Sequence, residues 1–248
     1  MASKARKREG KGTLAKLDAA AIAPQPTRRR REHLFHLYAL VACAGFVALA
    51  VAAHMVPYFR IDLSVTRALQ SYHGAFFAKL MYAISWLGFV PQVDVLLALA
   101  ILVLLLIGLR WETVAALFAA GGVLVGSLVK VIVLRPRPSA DLIEVLANLP
   151  TKSFPSGHVL MVTVFYGFLA FLAFTLLKPS WGRTALLVLF AALIVLMGPS
   201  RIYLGQHWFS DVMGAYLLGS LWLALTIMFY RWGKQRFFRN QPVATESK

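Results

Sequence analysis

The sequence predicts an all-α integral membrane protein, a six-transmembrane-helix bundle with interfacial helices between the first two spans. Three observations lead there. The 248 residues are 59% hydrophobic and 15% charged, whereas a soluble domain carries about 25% charged residues. Residues 95–109 and 159–177 contain no charge, and about 20 apolar residues cross the hydrocarbon layer. Polar residues instead gather in three clusters beside such runs: 130–138 (KVIVLRPRP), 155–158 (PSGH) and 200–211 (SRIYLGQHWFSD).

Residues 1–33 read as a basic arm. The formal net charge is +16, and ten of the 26 Lys and Arg residues precede His33. A basic segment with Pro24, Pro26 and few aromatics cannot bury enough surface to fold alone. It is expected to be a disordered cytoplasmic arm near anionic lipid headgroups. Nucleic-acid binding is not expected, because the positive charge flanks a membrane domain. The arm is too long and basic for a secretory signal, so the first helix is expected to remain uncleaved.

Within a membrane domain at 34–232, spans are expected near 37–55, 92–109, 113–134, 159–177, 184–198 and 212–230. The fifth is short and must borrow residues at its ends. Cys43 sits alone in the first span, so no internal disulfide can form. Residues 60–90 mix apolar side chains with Arg67, Gln70, His73 and Lys79, a pattern suited to helices lying at the interface. A seventh crossing at 76–90 is the alternative. Gly121, Gly122 and Gly126 let the third span approach its neighbours closely. Residues 233–248 form a basic cytoplasmic tail.

Loop charge sets the orientation. A cytoplasmic arm puts 110–112, 178–183 and the tail on the cytoplasmic side, and each contains basic residues as the positive-inside rule requires. The same alternation puts 60–90 and all three polar clusters on the outer face. Charged groups gathered beside lipid mark function.

The residue types suit a phosphoryl group, whose oxygens need fixed donors. Lys130, Arg137 and Arg201 supply cations, and a guanidinium can grip two oxygens. Ser156 and Gly157 begin the fourth span, where free backbone N–H groups bind anions. His207 and Asp211, four apart, share a face if that stretch is helical. The carboxylate then orients the ring and leaves the other nitrogen free to attack. His207 is assigned as nucleophile, Asp211 as its orienter and His158 as general acid. His36 and His54 read as packing or interfacial anchors, and His33 and His73 have no partner cluster. A metal held by His158, His207 and Asp211 would be repelled by three nearby cations, so no metal and no cofactor are expected.

Lys130-x6-Arg137-Pro138, Pro155-Ser156-Gly157-His158 and Ser200-Arg201-x5-His207-x3-Asp211 resemble the three-part signature of the type 2 phosphatidic acid phosphatases. That superfamily also includes the vanadium haloperoxidases. All eleven specified positions match, in order, across residues 130–211. The resemblance implies the same roles for the matched residues, and its spacing selects Arg137 over Arg135. Arg135 either assists Arg137 or faces lipid headgroups, and the second is expected.

The expected function is hydrolysis of a membrane lipid phosphate: phosphatidate, phosphatidylglycerol phosphate or a polyprenyl pyrophosphate. The short loop 139–153 would leave the site open to lateral entry. Transfer to an acceptor other than water, and anion binding without catalysis, are the alternatives. Compact size and the missing signal suggest a bacterial inner membrane.

Overall fold

The computed structural model describes residues 25–88, 92–146 and 151–238. Among these residues there are nine helices and no strand. They are α1 (Gln25–Met55), α2 (Arg60–Gln70), α3 (Ala75–Leu87), α4 (Gln92–Leu106), α5 (Arg110–Ala120), α6 (Gly122–Val133), α7 (Gly157–Leu176), α8 (Trp181–Tyr203) and α9 (Phe209–Phe238).

Among the described residues, five segments are long and apolar enough to cross a membrane: Glu32–Met55, Arg110–Val133, Gly157–Leu176, Trp181–Tyr203 and Phe209–Phe237. The chain is therefore a multi-pass membrane protein. The expected second span appears as α4, 15 residues long, which rises about 22 Å against a hydrocarbon layer of about 30 Å. The fifth expected span does borrow at both ends, growing from 184–198 to Trp181–Tyr203.

Residues 1–24 and 239–248 lie outside the described residues. Residues 25–33, expected to be disordered, are the first turns of α1. Once α1 supplies a nucleus, adding good helix formers such as Arg28–Arg31 costs little.

The third expected span is broken in the middle. Trp222 of α9 lies against Gly122, where an added Cβ would sit 2.8 Å from the indole Cδ1. Its Nε1 donates to the Phe118 carbonyl at 3.1 Å, an oxygen that the Gly121 N–H also reaches at 3.1 Å. A side chain inserted into the hydrogen-bond ladder kinks a helix.

Helix α7 is the centre of the bundle, with residues 159–165, Phe168 and Leu172 buried. It packs against α5, α6, α8 and α9. The described part of the segment expected at the interface, 60–88, forms two helices, and both contact the bundle: α2 meets α8 and α9, and α3 runs along α8. Asp62, Thr66 and Ser85 point into the protein and are fully buried.

Lys130 ends α6, His158 begins α7, Arg201 ends α8 and Asp211 begins α9. The up-and-down course of these four helices puts all three polar clusters at one end. Buried Glu112 marks the other end, accepting from Tyr230 Oη at 3.0 Å and pairing with Lys234 at 2.6 Å.

At the site end, loop 139–146 is held by Gln70, whose amide donates to the carbonyls of Glu144 (2.7 Å) and Tyr203 (3.0 Å). Gly205 faces that loop with φ +65°, and a Cβ there would run into the Glu144 carbonyl oxygen. A left-handed φ disfavours every residue with a side chain. Gly205→Ala should destabilise the fold by about 1–3 kcal/mol, read as a lower unfolding temperature in detergent.

Candidate active site

The first cluster turns inward at Leu134, which caps α6 in the left-handed conformation with φ 55°. His54 contacts the last helical carbonyl, that of Val133, at 3.1 Å. The turn carries Arg135 into the protein, where it is 1% exposed. Arg135 Nη1 donates to Asp211 Oδ1 (2.6 Å) and to Ser210 Oγ (2.7 Å), Nη2 to Asp62 Oδ2 (2.9 Å) and Nε to the Pro57 carbonyl (3.1 Å). Its guanidinium also lies over the Phe59 ring, 4.9 Å from the centroid. The lipid-facing place expected for Arg135 is thus overturned. Two carboxylates offset the cost of taking this guanidinium out of water.

Arg137 points the other way along the same loop. Its Nε and Nη2 donate to the carbonyl and hydroxyl of Thr151 at 2.6 and 2.8 Å. Nη1 donates to the Gln206 carbonyl at 2.5 Å and lies 3.2 Å from His207 Nε2. Lys130 Nζ donates to the Lys152 carbonyl at 2.7 Å. Loop carbonyls therefore aim both cations.

The second cluster is anchored by Phe154, which is fully buried and stacked on Phe46 at 5.9 Å. The Phe154–Pro155 peptide is cis. The Ser153 N–H donates to the Arg135 carbonyl at 2.9 Å, and the Ser156 N–H to the Asp211 carbonyl at 3.2 Å. These two bonds seat the PSGH turn between the other clusters. Ser156 is the N-cap of α7, its hydroxyl buried with no hydrogen-bond partner among the described residues. The first-turn N–H groups of α7 have no intrahelical acceptor. Gly157 lies beside Lys130, whose Cε would be 3.9 Å from an added Cβ. His158 passes Gly88, where a Cβ would lie 3.0 Å from its Cδ2.

The third cluster owes its shape to Pro199 inside α8. Proline cannot donate, so it leaves a carbonyl one turn back without its usual partner. The Tyr216 hydroxyl fills the gap, donating to Ile194 (2.7 Å) and Val195 (3.2 Å) and accepting from the Gly198 N–H (3.2 Å). Beyond this break Arg201 turns inward, fully buried, and donates to Ser85 Oγ of α3 at 2.5 Å.

His207 and Asp211 do meet, although not across a helix face as their spacing suggests. His207 precedes α9, and Asp211 lies in its first turn. Asp211 Oδ2 accepts from the Trp208 N–H at 2.8 Å, a bond from the turn that starts the helix. Ser153 Oγ donates to the same oxygen at 2.5 Å and lies 3.4 Å from His207 Nδ1. The carboxylate is 3.7 Å from Nδ1. Arg137 can only donate, so its contact makes Nε2 the acceptor and puts the ring proton on Nδ1, facing Asp211 and Ser153.

Burial, followed by the charges of Arg137, Lys130 and Arg201, holds His207 well below the usual imidazole pKa, with Ser153 opposing in part. Arg137 is also lowered, by burial, against the pull of Asp211. Among the described residues, no three His, Cys, Asp or Glu side chains gather to hold a metal ion.

All eight residues selected from the sequence lie at this end of the bundle. Sequence reasoning missed Asp62, Ser85, Gly88, Ser153 and the inward place of Arg135. Asp62 had a signal, being the only acidic residue between 33 and 93. Ser153 stands beside the PSGH turn, but Ser85 and Gly88 carry none.

The sequence profile of the PAP2 superfamily matches residues 111–235, half of the chain, and spans all three clusters. The chain belongs to the PAP2 superfamily. It is 28% identical over 181 residues to phosphatidylglycerophosphatase B of Bacillus subtilis, covering 71% of this chain and 86% of that protein. It is 35% identical over 92 residues to the undecaprenyl-diphosphatase of Sulfolobus acidocaldarius, covering 37% and 40% of the two chains. Among solved structures, the transmembrane PAP2-type phosphatidylglycerolphosphate phosphatase of Bacillus subtilis superposes with a TM-score of 0.69 at 25% identity, covering 82% of this chain and 98% of that one. LpxE of Aquifex aeolicus shares the fold, with a TM-score of 0.54 at 22% identity over 70% of this chain and 98% of its own. This PAP2 protein is thus similar to membrane lipid phosphatases.

Because its neutral form is favoured, His207 should remain neutral at pH 6.5, where an ordinary imidazole is half protonated. A ring-nitrogen NMR titration in detergent should place its protonation below that pH. A midpoint at or above 6.5 would contradict the geometry.

Proposed function

We propose that this PAP2 protein hydrolyses the phosphomonoester or pyrophosphate headgroup of a membrane lipid through a phosphohistidine on His207. The observation that carries the reading is the directed His207 ring: Nδ1 faces Asp211 and Ser153, and Nε2 faces Arg137. A neutral imidazole so oriented presents its lone pair where Arg137 would hold a phosphate.

In this mechanism the headgroup replaces loop carbonyls as the acceptor for Lys130 and Arg137. Arg201, Ser156 and the N–H of Gly157 complete the donor set around its oxygens. His207 Nε2 attacks phosphorus, and the phosphorus–oxygen bond to the lipid breaks. His158 gives its proton to the departing oxygen. The substrate's negative charge allows His158 to hold that proton among three cations. Asp211 stabilises the positive ring. Water then attacks the phosphohistidine, His158 takes the water's proton, and His207 is released. Every proton is accounted for without a metal or cofactor.

The relatives' names support phosphatidylglycerol phosphate and a polyprenyl pyrophosphate as candidate headgroups, alongside phosphatidate. Transfer of the phosphoryl group to another acceptor would use the same intermediate. In the proposed topology, α4 supplies a sixth crossing and both termini are cytoplasmic. The pocket then opens on the outer face of a bacterial inner membrane, with membrane lipids as its surroundings.

Purified protein should release phosphate from at least one of these lipids, persist in EDTA and be inhibited by vanadate. His207→Ala should abolish turnover, and His158→Ala should slow it by about 10²–10⁴-fold. Complete dependence on a divalent ion, or wild-type turnover by His207→Ala, would overturn the mechanism. Cysteines placed at Ser139 and Lys178 should be labelled from opposite sides of the membrane.

A further inference from the structure

We propose that Asp62 of α2 is a positioning residue for the reaction, acting through Arg135 to hold Asp211 in place and keep its charge available to His207. The proposal rests on the phosphohistidine reading. It names two residues outside the eleven matched positions.

The geometry is a closed knot of buried groups. Asp62 is fully buried, and its Oδ2 accepts from Arg135 Nη2 (2.9 Å), Ser210 Oγ (2.9 Å) and the Phe59 N–H (2.9 Å). Its Oδ1 accepts from the Ser210 N–H at 2.7 Å. Ser210 adjoins Asp211, so α2 grips the first turn of α9 at the residue next to the orienting carboxylate. Both ion pairs of Arg135 join side chains with no solvent exposure.

Charge explains why two carboxylates share this cation. Asp211 alone would give Arg135 a complete ion pair, and the two fields would largely cancel at His207. Asp62 offsets the guanidinium from its other side, leaving one net negative charge in the knot. That charge favours the positive ring formed during transfer. The other groups bearing on His207 are Lys130 from α6, Arg137 and Ser153 from the loop, His158 from α7 and Arg201 from α8. Three of these are cations, so the knot is the main source of negative charge beside the ring.

The test compares Asp62→Asn with Arg135→Gln in the full-length protein in detergent. Losing the Asp62 charge should move the His207 NMR titration to lower pH. Losing the Arg135 charge should move it to higher pH. For Asp62→Asn, kcat should fall about 10–100-fold, the cost typical of losing a group that orients a ligand. KM should hold, because Lys130, Arg137 and Arg201 are intact. If a single variant does not fold, Asp62→Asn/Arg135→Gln removes one charge of each sign and leaves the net charge of the knot unchanged. It should titrate above wild type, because Arg135 is the nearer charge to Asp211. An unmoved titration, or kcat and KM changing together, would reduce Asp62 to a structural clamp and overturn the proposal. The titration needs no substrate. A protein that released no phosphate would sink the functional reading while leaving this inference to its own result.

Discussion

A guanidinium taken out of water must find an acceptor for its donors, and Arg135 finds them on three separate parts of the chain. The Pro57 carbonyl, Asp62 and the Ser210–Asp211 pair converge on one side chain. Breaking such a buried set by removing one partner costs about 3–5 kcal/mol, because the remaining charge is left uncompensated. The constraint therefore fixes α2, the loop after α6 and the start of α9 as a unit. His207 and the PSGH turn hang from that unit through Asp211, the first by Ser153 and the second by a backbone bond.

The opposite charge problem is solved with neutral groups. Lys130, Arg137 and Arg201 crowd one pocket. In this structure they are aimed by the carbonyls of Lys152, Thr151 and Gln206 and by the Ser85 hydroxyl. These acceptors are dipoles, so they orient the cations without cancelling them. Donors already oriented need little reorganisation when negative charge develops between them. Burial, together with this crowding, holds His207 below the usual imidazole pKa, with Nε2 facing Arg137.

Much of this was legible in the sequence because hydropathy and loop charge act locally. Chargeless runs located the long helices, and the family pattern picked out eight residues that the fold brings to one end of the bundle. What escaped depends on partners far along the chain. Arg135 and Arg137 are both Arg-Pro pairs, and family spacing singles out Arg137, but the burial of Arg135 depends on the turn at Leu134. The polar residues of 60–90 suggested an interface, whereas Asp62 lies 148 residues from Ser210 and Ser85 lies 116 from Arg201. The break at Gly121 needs Trp222, and the break at Pro199 is completed by Tyr216. The spacing of His207 and Asp211 correctly paired them for the wrong reason, since a helix-starting turn rather than a helix face brings them together.

The knot at Arg135 also has an order in time. A ribosome supplies Asp62 first, Arg135 next and Asp211 only 76 residues later. During that interval Asp62 is the one carboxylate of the set available to the arginine, and their pairing can shelter the cation as the earlier helices enter the bilayer. His207 and Asp211 arrive together, around the start of the last helix. A nascent chain stopped before α9 already carries His207 but lacks Asp211, so its ring would be without the carboxylate that faces it until the last helix begins.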